Sequence, residues 1–411
     1  MVAREELMEP EKQGPRLRVA LNASFWGQET AGSGQYLHHL VDELVKLEDG
    51  PEVVLCGPAD LFAGRPLPAG AHWHTLATSP WRRLGANLEK VWNEQTAFPR
   101  AAAMLGAAVA HVPYFASPYT PRTPTVVTVH DLIPLLLPAY RGSALVRAYM
   151  RLVAASARRA DLILTDAEAT VPEIVRRLGV PRERVRAVLL AASPAYRPGT
   201  EPEVLAAVRA RYELPEAFLL YLGGFDQRRN LATLFRAWGE ARRREPHLPV
   251  LALAGALPTS DTPFAPDPRR LAREAGISES VRFLGRVPEG DKPALYGAAT
   301  AFLFPSRHEG FGLPVLESLA CGTPAVIAEA TSLPEVGGPG ALWVGADDIA
   351  GWADAICRIA TDNALRARLR AAGLAHASTF SWRRTAQETA AAYRDAHAAA
   401  LRFRVEGQSR S

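Results

Sequence analysis

TAFLFPSRHEGFGLPVLESLACGTPAVIA, residues 300–328, decides the fold. It reads as a short apolar strand (TAFLFP, 300–305), a glycine-bearing turn, a helix and a second apolar strand (PAVIA, 324–328). Pro314 marks the helix start, because a proline is favoured at the first helical position, where its missing N–H would have no partner. Strand, turn and helix in this order form the repeating unit of a parallel sheet.

The same alternation runs outward in both directions. Downstream lies ALWVG (341–345), and upstream lie FLLYLGG (218–224), VLALAG (250–255) and VRFLG (281–285). An earlier series repeats it: RVALNAS (18–24), EVVLCG (52–57), AVAHVP (108–113), TVVTV (125–129), DLILTD (161–166) and RVRAVLL (184–190). Between the two series, AASPAYRPGTEP (191–202) is rich in proline and small residues and reads as an interdomain connection. The expected fold class is therefore α/β, two doubly wound Rossmann-like domains facing each other. Ligands in such sheets bind outside the carboxyl ends of the strands, so the cleft between the domains is the expected site.

Length and composition agree with this reading. At 411 residues the chain exceeds what one hydrophobic core usually supports. Its 33 prolines and 31 glycines occur in short punctuating groups without a period, which excludes solenoid and collagen-like architectures. The net charge of +4 hides 47 basic residues interleaved with 43 acidic ones, so no nucleic-acid partner is expected. Cys56, Cys321 and Cys357 are widely spaced and lie in apolar contexts, as free thiols of a reducing compartment do.

Residues 1–16 are charged, lack an apolar core and read as a disordered tail rather than an export signal. Asn22-Ala23-Ser24 is then a glycosylation sequon by chance. No stretch is long and apolar enough to span a bilayer. The chain is expected in the cytoplasm, or at the inner face of the cytoplasmic membrane. The domains divide at 17–195 and 196–380, and SWRRTAQETAAAYRDAHAAALRF opens a closing segment (381–411). That segment is one long helix with Ser381 as N-cap, placed either to close the second domain or to cross back to the first.

The chemistry concentrates around the opening stretch. Gly310, Phe311 and Gly312 follow a strand and precede a helix, where free backbone N–H groups and the helix dipole favour an anion. Glu309 and Glu317 flank that pocket. Two carboxylates would repel a bare phosphate, so they are expected to accept hydrogen bonds from hydroxyl groups attached to it. A sugar nucleotide supplies both sets, hexose on one side of its diphosphate and ribose on the other. YLGGFDQRRN (221–230) brings Arg228 and Arg229 to another strand end, where both can reach one diphosphate.

Glu309 through Gly322 resemble, almost position by position, the E-x7-E motif of retaining glycosyltransferases of the GT-B fold. The likeness is to glycosyltransferase family 4, in its mannosyltransferase-like group 1 branch, whose members commonly read E-G-F-G-L-P-x-L-E-A-x-A-C-G. The resemblance implies that Glu309, with the backbone of Gly310, Phe311, Gly312 and Leu313, addresses the transferred sugar and diphosphate. It places Glu317 on the ribose and Arg228 and Arg229 on the diphosphate. The family commonly reads G-x-x-D-x-R-K-N at the latter place. Here Arg229 replaces the lysine and keeps the charge, whereas Gly224 stands where several relatives carry a further arginine, removing one cation.

The glycine loop with Gly32 and Gly34 (G-S-G-Q-Y-L) lacks the third glycine of a dinucleotide fingerprint, but resembles the family's loop that approaches the donor phosphate. His130, in TVVTVHDLIP (125–134), resembles the family's H-D at a strand end and is expected at the donor sugar. Val287, in GRVPEGDKPALYGAA (285–299), resembles the family's contact to the base.

No D-x-D motif stands at a strand end, so the charge on the leaving diphosphate is expected to be met by arginines and amides, with no metal or other cofactor. The implied partners are a nucleotide-sugar donor, GDP-mannose ahead of UDP-sugars, and a glycan or lipid-linked acceptor bound on the first domain, 17–195. The second, 196–380, would hold the donor. SPWRRLGANLEKVWNEQ (79–95) mixes aromatics with Arg82, Arg83 and Lys90; it reads as an amphipathic helix on the domain face or as a peripheral membrane contact. Non-hydrolysing sugar-nucleotide epimerases share the architecture but no matching motif is present. A binding module that has lost transfer is the remaining alternative, against which intact Glu309, Glu317, His130 and both arginines stand.

Overall fold

A computed structural model describes residues 16–28, 32–81, 83 and 85–408, the side chains of 403–408 excepted. Of the expected tail at 1–16, residues 1–15 lie outside the described residues, as does Arg82, whereas Arg16 bonds Glu48 O.

Two parallel sheets form the chain. The first has the order β3-β2-β1-β4-β5-β6-β7, with β1 (Arg18–Asn22), β2 (Glu52–Gly57), β3 (Ala71–Thr75), β4 (Val109–Val112), β5 (Thr125–Thr128), β6 (Leu162–Thr165) and β7 (Val185–Ala187). The second has the order β10-β9-β8-β11-β12-β13, with β8 (Phe218–Leu222), β9 (Val250–Ala254), β10 (Val281–Gly285), β11 (Ala301–Phe304), β12 (Ala325–Ala328) and β13 (Ala341–Val344). In each sheet the winding reverses beside the first strand, between β1 and β4 and between β8 and β11. Every described central strand is buried along nearly its whole length, as helices covering both faces require.

β3 has no counterpart in the sequence reading. Its AHWHT carries one large apolar residue, and as an edge strand it is only partly covered, so the apolar-run signal is missing. The helix after the glycine turn is Leu313–Ala320, one residue earlier than Pro314 indicates, with Pro314 still in its first turn.

The C-terminal helix, Trp382–Gln408, lies on the first lobe against the helix Gly32–Leu44. Its start is fixed by Ser381, whose Oγ accepts the Arg384 N–H at 3.1 Å. Thr385 Oγ1 then donates to Leu189 O at 2.6 Å, and Tyr393 meets the buried His111 at 2.7 Å. Burial, above all, pushes the His111 imidazole down to about 3, so the ring stays neutral between Tyr393 and Thr128. The chain thus passes between lobes twice, at the 188–201 connection and again ahead of Trp382.

Candidate active site

The glycine turn after β11 sits directly against the first lobe. A Cβ at Gly310 would lie 2.0 Å from the carbonyl oxygen of His130, so only glycine lets the two backbones approach this closely. Thr170 Oγ1 donates to Gly310 O at 3.3 Å from the same side. Gly312 caps the following helix at φ 110°, a conformation that residues with a Cβ rarely adopt. Phe311 is buried and edge-on to Phe380.

Glu309 and the arginine pair meet here. Arg228 Nη1 lies 2.8 Å from Glu309 Oε2, while Arg229 Nη1 bonds Glu309 Oε1. Ser306 Oγ donates to Oε1 at 2.6 Å, and the Glu309 N–H donates to Thr331 Oγ1. Behind the arginines, Asp226 approaches both, at 3.3 Å from Arg228 Nε and 3.9 Å from Arg229 Nε. Burial works against the Arg228 charge, yet the Glu309 and Asp226 carboxylates more than offset it and raise the guanidinium above its ordinary value. Arg228 and Arg229 occupy a 3₁₀ turn ahead of the helix Leu231–Arg244, which aims both at one point although they are adjacent. Two guanidinium groups and two carboxylates balance, so this quartet carries no net charge.

Asp226 also accepts a hydrogen bond from Tyr140 OH of the first lobe. Two further contacts join the lobes nearby. His308 Nε2 lies 3.3 Å from Glu173 Oε2, and the Glu335 carboxylate accepts the backbone N–H groups of Glu168 and Ala169, each at 3.1 Å.

His130 stands at the carboxyl end of β5, its Nδ1 2.8 Å from Asp166 Oδ2 and its Nε2 3.2 Å from Pro113 O. Burial alone would hold the imidazole down; Asp166 overcomes this and raises it above its ordinary value.

Glu317 lies one helix turn inward and lines a cavity of about 290 Å³ with Gln35, His39, Ser193, Tyr196 and Trp382. Tyr296 OH donates to its Oε2 at 3.1 Å. Burial pushes this carboxyl up to about 7, against the opposing pull of Lys292 and the tyrosine hydroxyls. A second cavity of about 330 Å³ opens at the ends of β8, β9 and β10, lined by Gly223, Gly224, Gly255, Arg286, Val287 and Lys292. Glu289 borders both.

The structure thus brings Glu309, Arg228, Arg229 and Gly310 to Leu313 into one cluster and sets Glu317 and Val287 in the adjoining cavities. His130 meets the cluster through its backbone carbonyl, while its ring bonds Asp166 and Pro113 within the first lobe. Gly32 opens its helix with space around it, and the tight approach falls on Gly34, whose added Cβ would lie 2.0 Å from Gln28 O. Tyr140, Asp166 and Tyr196 have no place in the sequence reading, and Asp226 enters it only as the acid of the G-x-x-D-x-R-K-N string; Tyr296 reads there as an ordinary packing residue. For Asp166 a signal existed, an acid ending the strand DLILTD, but its pairing with β5 had to be known first.

This fold and site define a GT-B glycosyltransferase. The model of the family described as Glycosyl transferases group 1 matches residues 209–376, and that of Glycosyltransferase Family 4 matches 30–191. O-antigen chain mannosyltransferase B of Escherichia coli is 35% identical over 289 residues, which cover 69% of this chain and 73% of that protein. The chain belongs to the group 1, family 4 glycosyltransferases. The fold agrees with sucrose-phosphate synthase from Thermosynechococcus elongatus (TM-score 0.71, 22% identity, 93% of this chain and 100% of that one). It also agrees with Anabaena HepE solved with UDP and glucose (TM-score 0.69, 16% identity, 92% and 99%).

Proposed function

We propose that this glycosyltransferase moves a hexose with retention from a nucleotide diphosphate sugar to a hydroxyl of a glycan or lipid-linked acceptor, in the cytoplasm or at its membrane face. The observation that carries the reading is the cluster of Glu309, Arg228 and Arg229 at the glycine turn, which packs against the His130 backbone. The diphosphate lies against Arg228, Arg229 and the first amides of the helix Leu313–Ala320. Glu309, released from the arginines as the anion takes its place, accepts from hexose hydroxyls. Glu317 accepts from the ribose, and the base occupies the cavity beside Val287.

The anomeric carbon–oxygen bond breaks as the diphosphate leaves, and the acceptor oxygen bonds to the same face. The departing phosphate oxygen takes the acceptor proton. No enzymic nucleophile is required, and the guanidinium groups and helix amides meet the developing charge without a metal. GDP-mannose is favoured by the likeness to a mannosyltransferase, and UDP-sugars by the HepE complex.

Thermal-shift screening of nucleotide sugars identifies the donor, because a ligand that binds only the folded state raises its midpoint. Glu309→Ala is expected to lower transfer about 10³-fold while the nucleotide still shifts the midpoint. Full transfer by that variant, or an inverted anomeric product by NMR, would overturn the reading.

A further inference from the structure

A third cavity, of about 180 Å³, lies away from the donor cluster, at the carboxyl ends of β2 and β3. Asp60, Thr75, Thr78, Glu89 and Asn93 supply its polar lining, and no lysine, arginine or histidine is among its described lining residues. Asn93 is only 7% exposed, yet its carboxamide makes no hydrogen bond among the described residues. Its amide oxygen and nitrogen are not sealed off but open onto the cavity, where a ligand or water can satisfy them.

The backbone explains how it is held there. Asn93–Ala97 forms a π-helical bulge between the helices Ala86–Trp92 and Phe98–Met104, a device that re-aims side chains and recurs at functional sites. Glu94 turns into the core, where Tyr149 OH reaches its two oxygens at 2.9 and 3.1 Å, and this anchors the bulge. Trp81, three residues after the lining residue Thr78, is 48% exposed and packs edge-on against Trp92, the neighbour of Asn93, with ring centroids 5.4 Å apart.

We infer that this cavity is an acceptor subsite for an uncharged sugar unit. Two carboxylates, an amide and threonine hydroxyls match the donors and acceptors of sugar hydroxyls, and an exposed indole matches the apolar face of a pyranose ring. Two carboxylates, with no basic residue among the described lining, disfavour phosphates and other anions. A metal ion would need a tighter set of ligands, and no group of three or more His, Cys, Asp or Glu able to hold one occurs among the described residues.

Position adds the consequence. From β5, where His130 stands, to β2 is three strand spacings through β4 and β1, about 15 Å. An acceptor whose reacting hydroxyl sits at His130 therefore reaches the cavity only when it carries further sugar units. The inference rests on the transfer reading but concerns recognition at a distance from the bond that breaks.

The test uses the full chain with neutral manno-, gluco- and galacto-oligosaccharides of increasing length, in two assays. In direct binding, followed by tryptophan fluorescence without donor, the intact protein is expected to bind the longer members of one series more tightly than its monosaccharide. Asn93→Ala and Thr78→Val are each expected to weaken the long member about tenfold, the effect of one lost buried hydrogen bond, and to leave the monosaccharide unchanged. In transfer, KM for the long acceptor should rise equally while KM for the donor stays put. No length dependence, an equal effect on all lengths, or loss of anionic-vesicle binding in Trp81→Ala with oligosaccharide binding intact would overturn it. Because the first assay needs no donor, failure of the transfer reading remains distinguishable from failure of the subsite.

Discussion

Glu317 shows what burial does to one carboxyl. Its folded value of about 7 lies above the ordinary 4.5, so between these the folded chain holds a proton that the unfolded chain has released. That contribution to stability is complete below about 4.5 and is lost as pH rises through about 7. Urea unfolding at pH 4.5 and pH 8 should therefore show the parent losing on the order of 3 kcal/mol relative to Glu317→Gln, which cannot ionise. Parallel pH profiles for the two proteins would contradict this. The same protonation bears on function: a neutral carboxyl can donate to a ribose oxygen as well as accept, and the ionised form can only accept.

At the scale of elements, the glycine turn couples two strand ends that belong to different sheets. Gly310→Ala would place a methyl group 2.0 Å from His130 O, backbone against backbone, where neither side yields cheaply. The expected result is a turn displaced from the first lobe by about an ångström, enough to cost transfer about 10²-fold. Each lobe's core is untouched, so the thermal midpoint should change little. Parent-like turnover in this variant would show that the close approach is not the reacting geometry.

The elements were also where sequence reading succeeded best. Buried central strands such as FLLYL and AFLF announce themselves as uninterrupted apolar runs, and E-G-F-G-L-P fixes a strand-to-helix turn through its glycines and proline. What stayed hidden was contact between distant segments. Tyr140 lies 86 positions before Asp226, and no local pattern links them. Likewise, Gly32 and Gly34 look equivalent in G-S-G, and only the path of residue 28 shows which one is packed tight.

For the whole molecule, polar contacts join the lobes at the cleft, beside the packing of the Tyr140 ring on Phe264. Tyr140–Asp226, His308–Glu173 and Glu335 on the Glu168 and Ala169 amides each join one lobe to the other. Combining Tyr140→Phe with Glu335→Ala should shift the unliganded protein toward an open form, seen as a larger radius of gyration in small-angle X-ray scattering. Saturating nucleotide sugar should restore the parent value, since ligand contacts replace the lost ones. A radius unchanged by the substitutions would mean that other contacts fix the closure.

The double passage of the chain between lobes has a mechanical consequence. A body tethered at one point can swing, tilt and twist, whereas one tethered at two points is left chiefly with rotation about the line that joins them. Opening should therefore follow a single path, returning His130 and the glycine turn to the same registration each time the cleft shuts.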